Sequence, residues 1–358
     1  MNRPPEQPEP DRRQHGAPSR FRTRRAWLIG GLALVLVVGV GVAVVLLDRP
    51  GARHLGSRSG GVPTPTSATA PEPSAAASTA SPSASPSRSA SHGPSATPPA
   101  GANPHQPNCA PHPVGCGFPD ASNTGVPAGT KLTVVNGDME VRQAGAVIDG
   151  KDIRGCVDVM AANVTIRRSK ISCTSYYVVG SFAEEYKGGG LVIEDSDIDC
   201  RSTNTTGIGS FGFTARRLNI HGCENGFDLD SSATVVDSYL HDFYEGTSGH
   251  ADGVQLSVGT HIVVSHNTIL DAIGTSAMIS NGSSISDVLV TGNLMAGGAY
   301  TLYCPAHGSS AYRVVNNRFS TLYYAKGGAY GPLSDCDKVA EFSGNVWDTT
   351  LKPLTSTS

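Results

Sequence analysis

Val164-Thr165-Ile166-Arg167-Arg168-Ser169-Lys170-Ile171 returns as Leu191-Val192-Ile193-Glu194-Asp195-Ser196-Asp197-Ile198. Looser copies begin at Phe213 and Ala233, and sharper ones at Ile262, Val288, Tyr312 and Ala340. The sixth residue of each copy serves as an anchor: Ser169, Ser196, Leu218, Ser238, Asn267, Asn293, Asn317 and Asn345. Successive anchors lie 27, 22, 20, 29, 26, 24 and 28 residues apart. A period of that length is the mark of a solenoid.

Within each copy apolar and polar residues alternate, which is the strand period. The small polar anchor between the two halves predicts a bend joining two short strands. Asn tolerates left-handed backbone and bonds its own main chain, which suits a bend. Stacked coil on coil, the four anchor amides can also bond one another, as polar ladders do between stacked strands. A further alternating segment precedes several copies, as in Gly226-Phe227-Asp228-Leu229-Asp230 and Gly253-Val254-Gln255-Leu256-Ser257. Each coil then has three short strands, and no single coil buries its apolar face alone. The expected fold is all-β, a right-handed parallel β-helix of about eight to nine coils. An antiparallel sandwich would show strands every 8–12 residues without a fixed phrase.

Residues 26–47 carry no charge and are long enough to cross a bilayer. Seven Arg and no Lys lie in residues 1–25, so the basic tail is expected in the cytoplasm and everything after the span outside. The competing reading is a cleaved secretory signal, with the protein released. Residues 48–108 are rich in Pro, Ser, Ala and Thr and are expected to form a disordered tether. The β-helix domain is assigned to 109–358.

All eight Cys fall beyond the tether, an even count that suits disulfides in an oxidising compartment. Cys173 and Cys200 each follow an anchor by four residues and make the first-choice bridge, with Cys223 competing for Cys200. Cys304–Cys336 and Cys109–Cys116 are the other expected pairs. Residues 109–358 hold 16 Lys+Arg against 25 Asp+Glu, a formal −9. Such a surface disfavours nucleic acid and binds polyanions poorly without bridging cations, for which calcium is the candidate.

The densest polar cluster spans 221–257. Aligning Gly226 with Gly253 stacks Asp228 on Gln255 and sets Asp252 beside Asn225. Asp228 and Asp230 then share a side of one strand, about 6.5–7 Å apart at the backbone. Two carboxyls so placed suit acid–base attack on a glycosidic bond, and like charges raise one pKa. Asp228, Asp230 and Asp252 are the acid–base candidates, with His250 assisting. Gln255, His241 and Glu245 are expected to bind substrate. Tyr303 and Lys326, in a Tyr-rich cluster on the later coils, join them, since Tyr rings stack on sugar faces. One His-x-Asp without a third ligand predicts no metal site.

The repeat phrase and the Asn series over roughly 127–350 resemble the pectin-lyase-like superfamily of right-handed parallel β-helices. The run Gly117-Phe118-Pro119-Asp120-Ala121-Ser122-Asn123-Thr124-Gly125-Val126-Pro127-Ala128-Gly129, followed by Val147-Ile148-Asp149-Gly150-Lys151, is more closely similar to secreted β-helix repeat proteins of high-GC Gram-positive bacteria. The superfamily includes polysaccharide lyases, polygalacturonase-type hydrolases, epimerases and non-enzymatic adhesins. Polygalacturonases carry Asn-Thr-Asp, Asp-Asp, Gly-His-Gly and Arg-x-Lys; neither Asp-Asp nor Gly-His-Gly occurs here. Pectate lyases use an Arg beside calcium ligands, and between 202 and 312 the only Arg are Arg216 and Arg217. The resemblance therefore implies a tethered, outward-facing domain that acts on or binds a polysaccharide or wall glycan. A non-catalytic surface module for a glycan or a protein is the alternative.

Overall fold

The computed structural model describes residue 103 and residues 105–182, 189–246 and 250–357. The span expected at 26–47, the basic tail and nearly all of the tether lie outside them. Among the described residues no helix is long and apolar enough to cross a membrane.

The chain is all-β, and its strands pair in parallel, coil upon coil, as in a parallel β-helix. The first face is a nine-stranded sheet built from the first half of each phrase, from Val147–Asp149 to Val339–Ser343. The second face takes the residues after each anchor, including Lys170–Ser172, Tyr239–His241, Thr268–Asp271 and Leu294–Gly297. The third face runs through Tyr177–Ser181, Asp252–Gly259, Ser276–Ile285 and Tyr300–Tyr303. Two long strands, Asp197–Ser210 and Asn219–Leu229, turn the corner between the second and third faces. The only antiparallel contacts among the described residues are three isolated bridges, so the sandwich alternative falls.

Alternation fixes what faces inward. On the third face Val157, Val179, Ile208, Phe227, Val254, Met278, Leu302 and Leu333 stack in one continuous row. All are buried, and the rows of the three faces meet in one core.

The anchors also point inward and are fully or almost fully buried. Asn293 shows how their polar groups are satisfied. Its Nδ2 donates to Val264 O and to Asn317 Oδ1, both at 2.9 Å. Its Oδ1 accepts from the backbone N–H and the Nδ2 of Asn267, at 2.9 and 3.0 Å. The same pattern links Asn317 to Asn345, and Ser238 N–H donates to Asn267 Oδ1 at 2.9 Å. One expectation is corrected here: the left-handed residue is not the anchor but the one before it. Arg168, Asp195, Arg217, Asp237, His266 and Asn316 have φ between 48° and 59°, with Gly292 and Gly344 at 66°. That single left-handed step turns the anchor's side chain into the core.

Disulfides join Cys109 to Cys116, Cys156 to Cys173, Cys200 to Cys223 and Cys304 to Cys336. The expected Cys173–Cys200 bridge is absent, although the two are ladder neighbours beside the Ser172–Asp199 pair. Cys156, Cys173, Cys200 and Cys223 form one column. Bonding the middle two would leave the outer two three coils apart, roughly 14 Å, beyond disulfide reach. The column therefore pairs first with second and third with fourth. Four disulfides fit a secreted or extracellular setting.

Residues 105–131 form a strap along the outside of the second face. Asn108 N–H donates to Asp348 O at 2.7 Å, on the last coil, while Gly125 N–H reaches Arg217 O at 2.9 Å, five coils back. Cys109, Ala110, Cys116 and Phe118 bury Leu270, Leu294 and Ala296 beneath them. A buried pair, Arg318 with Asp348 at 3.3 Å, holds the start of the strap, and Arg318 also sits 5.5 Å from the centre of the Phe118 ring. The second face is thus covered by its own chain.

Candidate functional site

The third face keeps an open cleft. A cavity of about 360 Å³ lies over the coils that hold Thr206, Asn225, Asp252 and Ile279. Three carboxyl residues line it: Glu224, Asp228 and Asp252. Asn204, Asn225, Gln255 and Asn281 add amides, Tyr176 adds an exposed ring, and His250 stands at the rim. The predicted register holds: Asp228 pairs with Gln255 and Asn225 with Asp252.

Asp252 is the most enclosed of these groups, with 3% of its surface exposed. Ser276 Oγ donates to its Oδ1 at 2.5 Å, and its backbone N–H donates to Asn225 Oδ1 at 3.2 Å. Burial pushes its carboxyl up to about 6, against the opposing pull of Ser276 and the nearby His250; Glu224 raises it further. The turn from Asp271 to Ser276 clasps this strand, with Thr275 N–H and Ser276 N–H both donating to Ala251 O. Thr275 Oγ1 lies 3.5 Å from His250 Nδ1. Asp271 itself is fully buried behind the cleft.

Asp228 is held differently. Tyr177 Oη donates to Asp228 Oδ2 at 2.9 Å across two coils. The ring reaches that far because Gly209 stands between them on the outward row. A Cβ at Gly209 would lie 2.1 Å from Tyr177 Cε1. Gly209 has no left-handed backbone, so the ring alone demands glycine there. Burial raises the Asp228 carboxyl while the Tyr177 hydroxyl pulls it down. Burial and the adjacent Asp228 charge push the Tyr177 phenol upward.

Several expected site residues are elsewhere. Asp230 does not line the cleft; it accepts from Ser210 Oγ at 3.0 Å at the end of its strand segment. His241 belongs to the second face, on the far side of the corner, where it stacks on Tyr239 at 4.2 Å. It contacts Asp242 at 2.7 Å and Asn219 at 3.0 Å, and burial lowers its pKa. Glu245 is not in the cleft lining either; its charge is felt by Asp271. Tyr303 lies on the outward row that carries Asp228 and Gln255, two coils beyond Gln255. Lys326 flanks a second cavity of about 520 Å³ with Tyr300, Tyr330 and Trp347. Tyr176, Tyr177, Asn204, Thr206 and Asn281 are site residues with no functional role assigned from the sequence, and Glu224 enters that reading only as part of the polar cluster at 221–257.

The Arg-x-Lys spacing occurs once, at Arg168-Ser169-Lys170. Arg168 lies at the edge of the first face, ion-paired with Asp149 at 2.6 Å, and Ser169 points into the core. That triplet therefore takes no part in the cleft. Among the described residues no group of three or more His, Cys, Asp or Glu is arranged to hold a metal ion. No family model, curated protein or solved structure matches the chain. The class the coordinates define is a disulfide-bonded, parallel-stacked β solenoid with a polar cleft on one face.

Proposed function

We propose that this cleft binds a polysaccharide and works on it by acid–base chemistry, with Asp252 as the general acid. One observation carries the reading: three carboxyls, four amides and an exposed tyrosine converge in a single cavity on the third face. A carboxyl raised to about 6 by burial can hold a proton near neutral pH and deliver it to a glycosidic oxygen. Glu224 would then serve as the base that activates water, with Asp228, fixed by Tyr177, orienting the sugar. In this reading the domain is a right-handed, pectin-lyase-like helix, the hand usual for parallel crossovers. It stands outside the cell on the uncharged span at 26–47.

A non-catalytic glycan-binding module is the second reading. It draws on the 3% exposure of Asp252 and the engagement of Asp228 by Tyr177, both of which restrict approach to a reacting bond. One experiment separates the two. The full chain is incubated with a panel of polysaccharides, and both retention and new reducing ends are measured. The catalytic reading expects cleavage of one polymer, lost by about 10²-fold or more in Asp252→Asn. It also expects weaker binding in Gly209→Ala, whose methyl lifts Tyr177 off Asp228. Retention without cleavage by the wild type supports the module, and neither retention nor cleavage rejects both.

A further inference from the structure

We infer that the ligand is a linear glycan free of anionic groups, lying along the rod with about one sugar unit per coil from Tyr176 to Tyr330. The inference rests on the reading of the third face as a glycan site and names its substrate class. Charge is the first argument. Among the described residues no Lys or Arg lines the cleft, whose ionisable groups are Glu224, Asp228, Asp252 and the rim residue His250. The outward row through Asp158, Gly180, Gly209, Asp228, Gln255, Ile279, Tyr303 and Ser334 has no cation at all. Arg216 and Arg217, on the coil of Asp228, are held at the edge of the first face, with Glu194 at 2.5 Å and with Asp195 at 2.6 Å, and Arg201, on the coil of Gly209, is not in the cleft lining. A polyuronate would meet like-charged carboxyl groups here, whereas hydroxyl, acetamido and ammonium groups would meet acceptors.

Length is the second argument. Tyr176 and Tyr330 are both 72% exposed, unusual for rings that no neighbour needs as cover. Tyr176 meets Tyr177 edge-on at 4.5 Å, and Tyr330 lies 5.9 Å from Tyr300 at the far end of the same face. Six coil steps separate the Tyr177 strand from Gly331, the pairing partner of Tyr300. At about 4.8 Å per coil the two aromatic ends stand roughly 29 Å apart. That rise is close to the length of one pyranose unit. A straight polymer therefore meets each coil in the same phase, stacking on rings at both ends and hydrogen-bonding amides between them. Tyr300, Tyr330 and Trp347 line the terminal cavity with Lys326, and the rings offer the last unit its stacking surface there.

The test is titration calorimetry of the full chain with three ladders of two to eight units: β-1,4-linked glucosamine, β-1,4-linked N-acetylglucosamine and α-1,4-linked galacturonate. The expected result is affinity that climbs with each added unit to about seven in a non-anionic ladder, with galacturonate at least tenfold weaker at equal length. Tyr330→Ala should cost long oligomers about tenfold and leave dimers and trimers unchanged. Preference for galacturonate would overturn the charge assignment. A plateau at two or three units would overturn the axial path. Either of those results leaves the glycan reading of the cleft intact. Binding of no ladder would overturn the inference itself, while the polysaccharide panel decides the underlying reading.

Discussion

Asn293→Ala is expected to lower the free energy of unfolding by about 3–5 kcal/mol, read from denaturant midpoints of the purified protein. The side chain is fully buried and serves three partners. Its removal leaves the backbone N–H of Asn267 without a bond and takes from the carbonyl of Val264 the donor it has besides the strand ladder. An orphaned buried group costs about 1–3 kcal/mol, and the vacated volume adds a cavity term. Asn267 Nδ2 keeps its second acceptor, Val235 O at 3.1 Å, and Asn317 Oδ1 keeps the Asn293 N–H. The loss is thus larger than for an exposed Asn but short of complete unfolding. A loss under 1 kcal/mol would mean that the ladder is ornamental to the stack.

The second large effect is on the pH dependence of stability. Asp271 is buried behind the cleft. Its Oδ1 accepts from Gly274 N–H at 2.8 Å and Ile273 N–H at 3.4 Å, while its Oδ2 has no partner. Burial, opposed by those two amides, pushes its carboxyl up to about 7, and the charges of Asp252 and Glu245 raise it further. A carboxyl whose folded pKa exceeds its unfolded value binds its proton more tightly in the native state. Its stabilisation is complete below the unfolded pKa of 3.8 and is lost as pH rises through about 7. Wild-type stability should therefore fall between pH 5 and pH 8. The share from Asp271 is about 2–3 kcal/mol, with a smaller share from Asp252 over pH 4 to 6. Asp271→Asn keeps the acceptor for the turn and cannot ionise. It should remove most of that slope, matching or exceeding wild type at pH 8. Parallel slopes for the two proteins would show that Asp271 is not the buried acid described.

Much of the fold was legible because its decisive signal is periodic. Val164, Ile166 and Ile171 alternate with polar neighbours, and the phrase occurs eight times in all, so faces, coil number and the Asp228–Gln255 register could be read directly. The Asn ladder was legible for the same reason. The left-handed step was not: Arg168, Asp195 and His266 occupy it, and none of these types announces positive φ as glycine does. The corner in Asn219–Leu229 was also hidden. His221 and Asp228 alternate as if on one strand, yet the chain turns at Gly222, and His241 follows His221 onto the second face. Tyr177 escaped notice because its partner lies 51 residues away and its reach depends on a glycine on the coil between them. The cysteine column was visible, but its partition follows only when all four positions are placed together.

Peptide mapping of the unreduced full chain by mass spectrometry tests most directly that successive turns of chain lie one upon the next in the order described. The account predicts Cys156 joined to Cys173 and Cys200 joined to Cys223, each bridge tying one coil to its immediate neighbour. A bridge that skips a coil, Cys156 to Cys200 or Cys173 to Cys223, would contradict it.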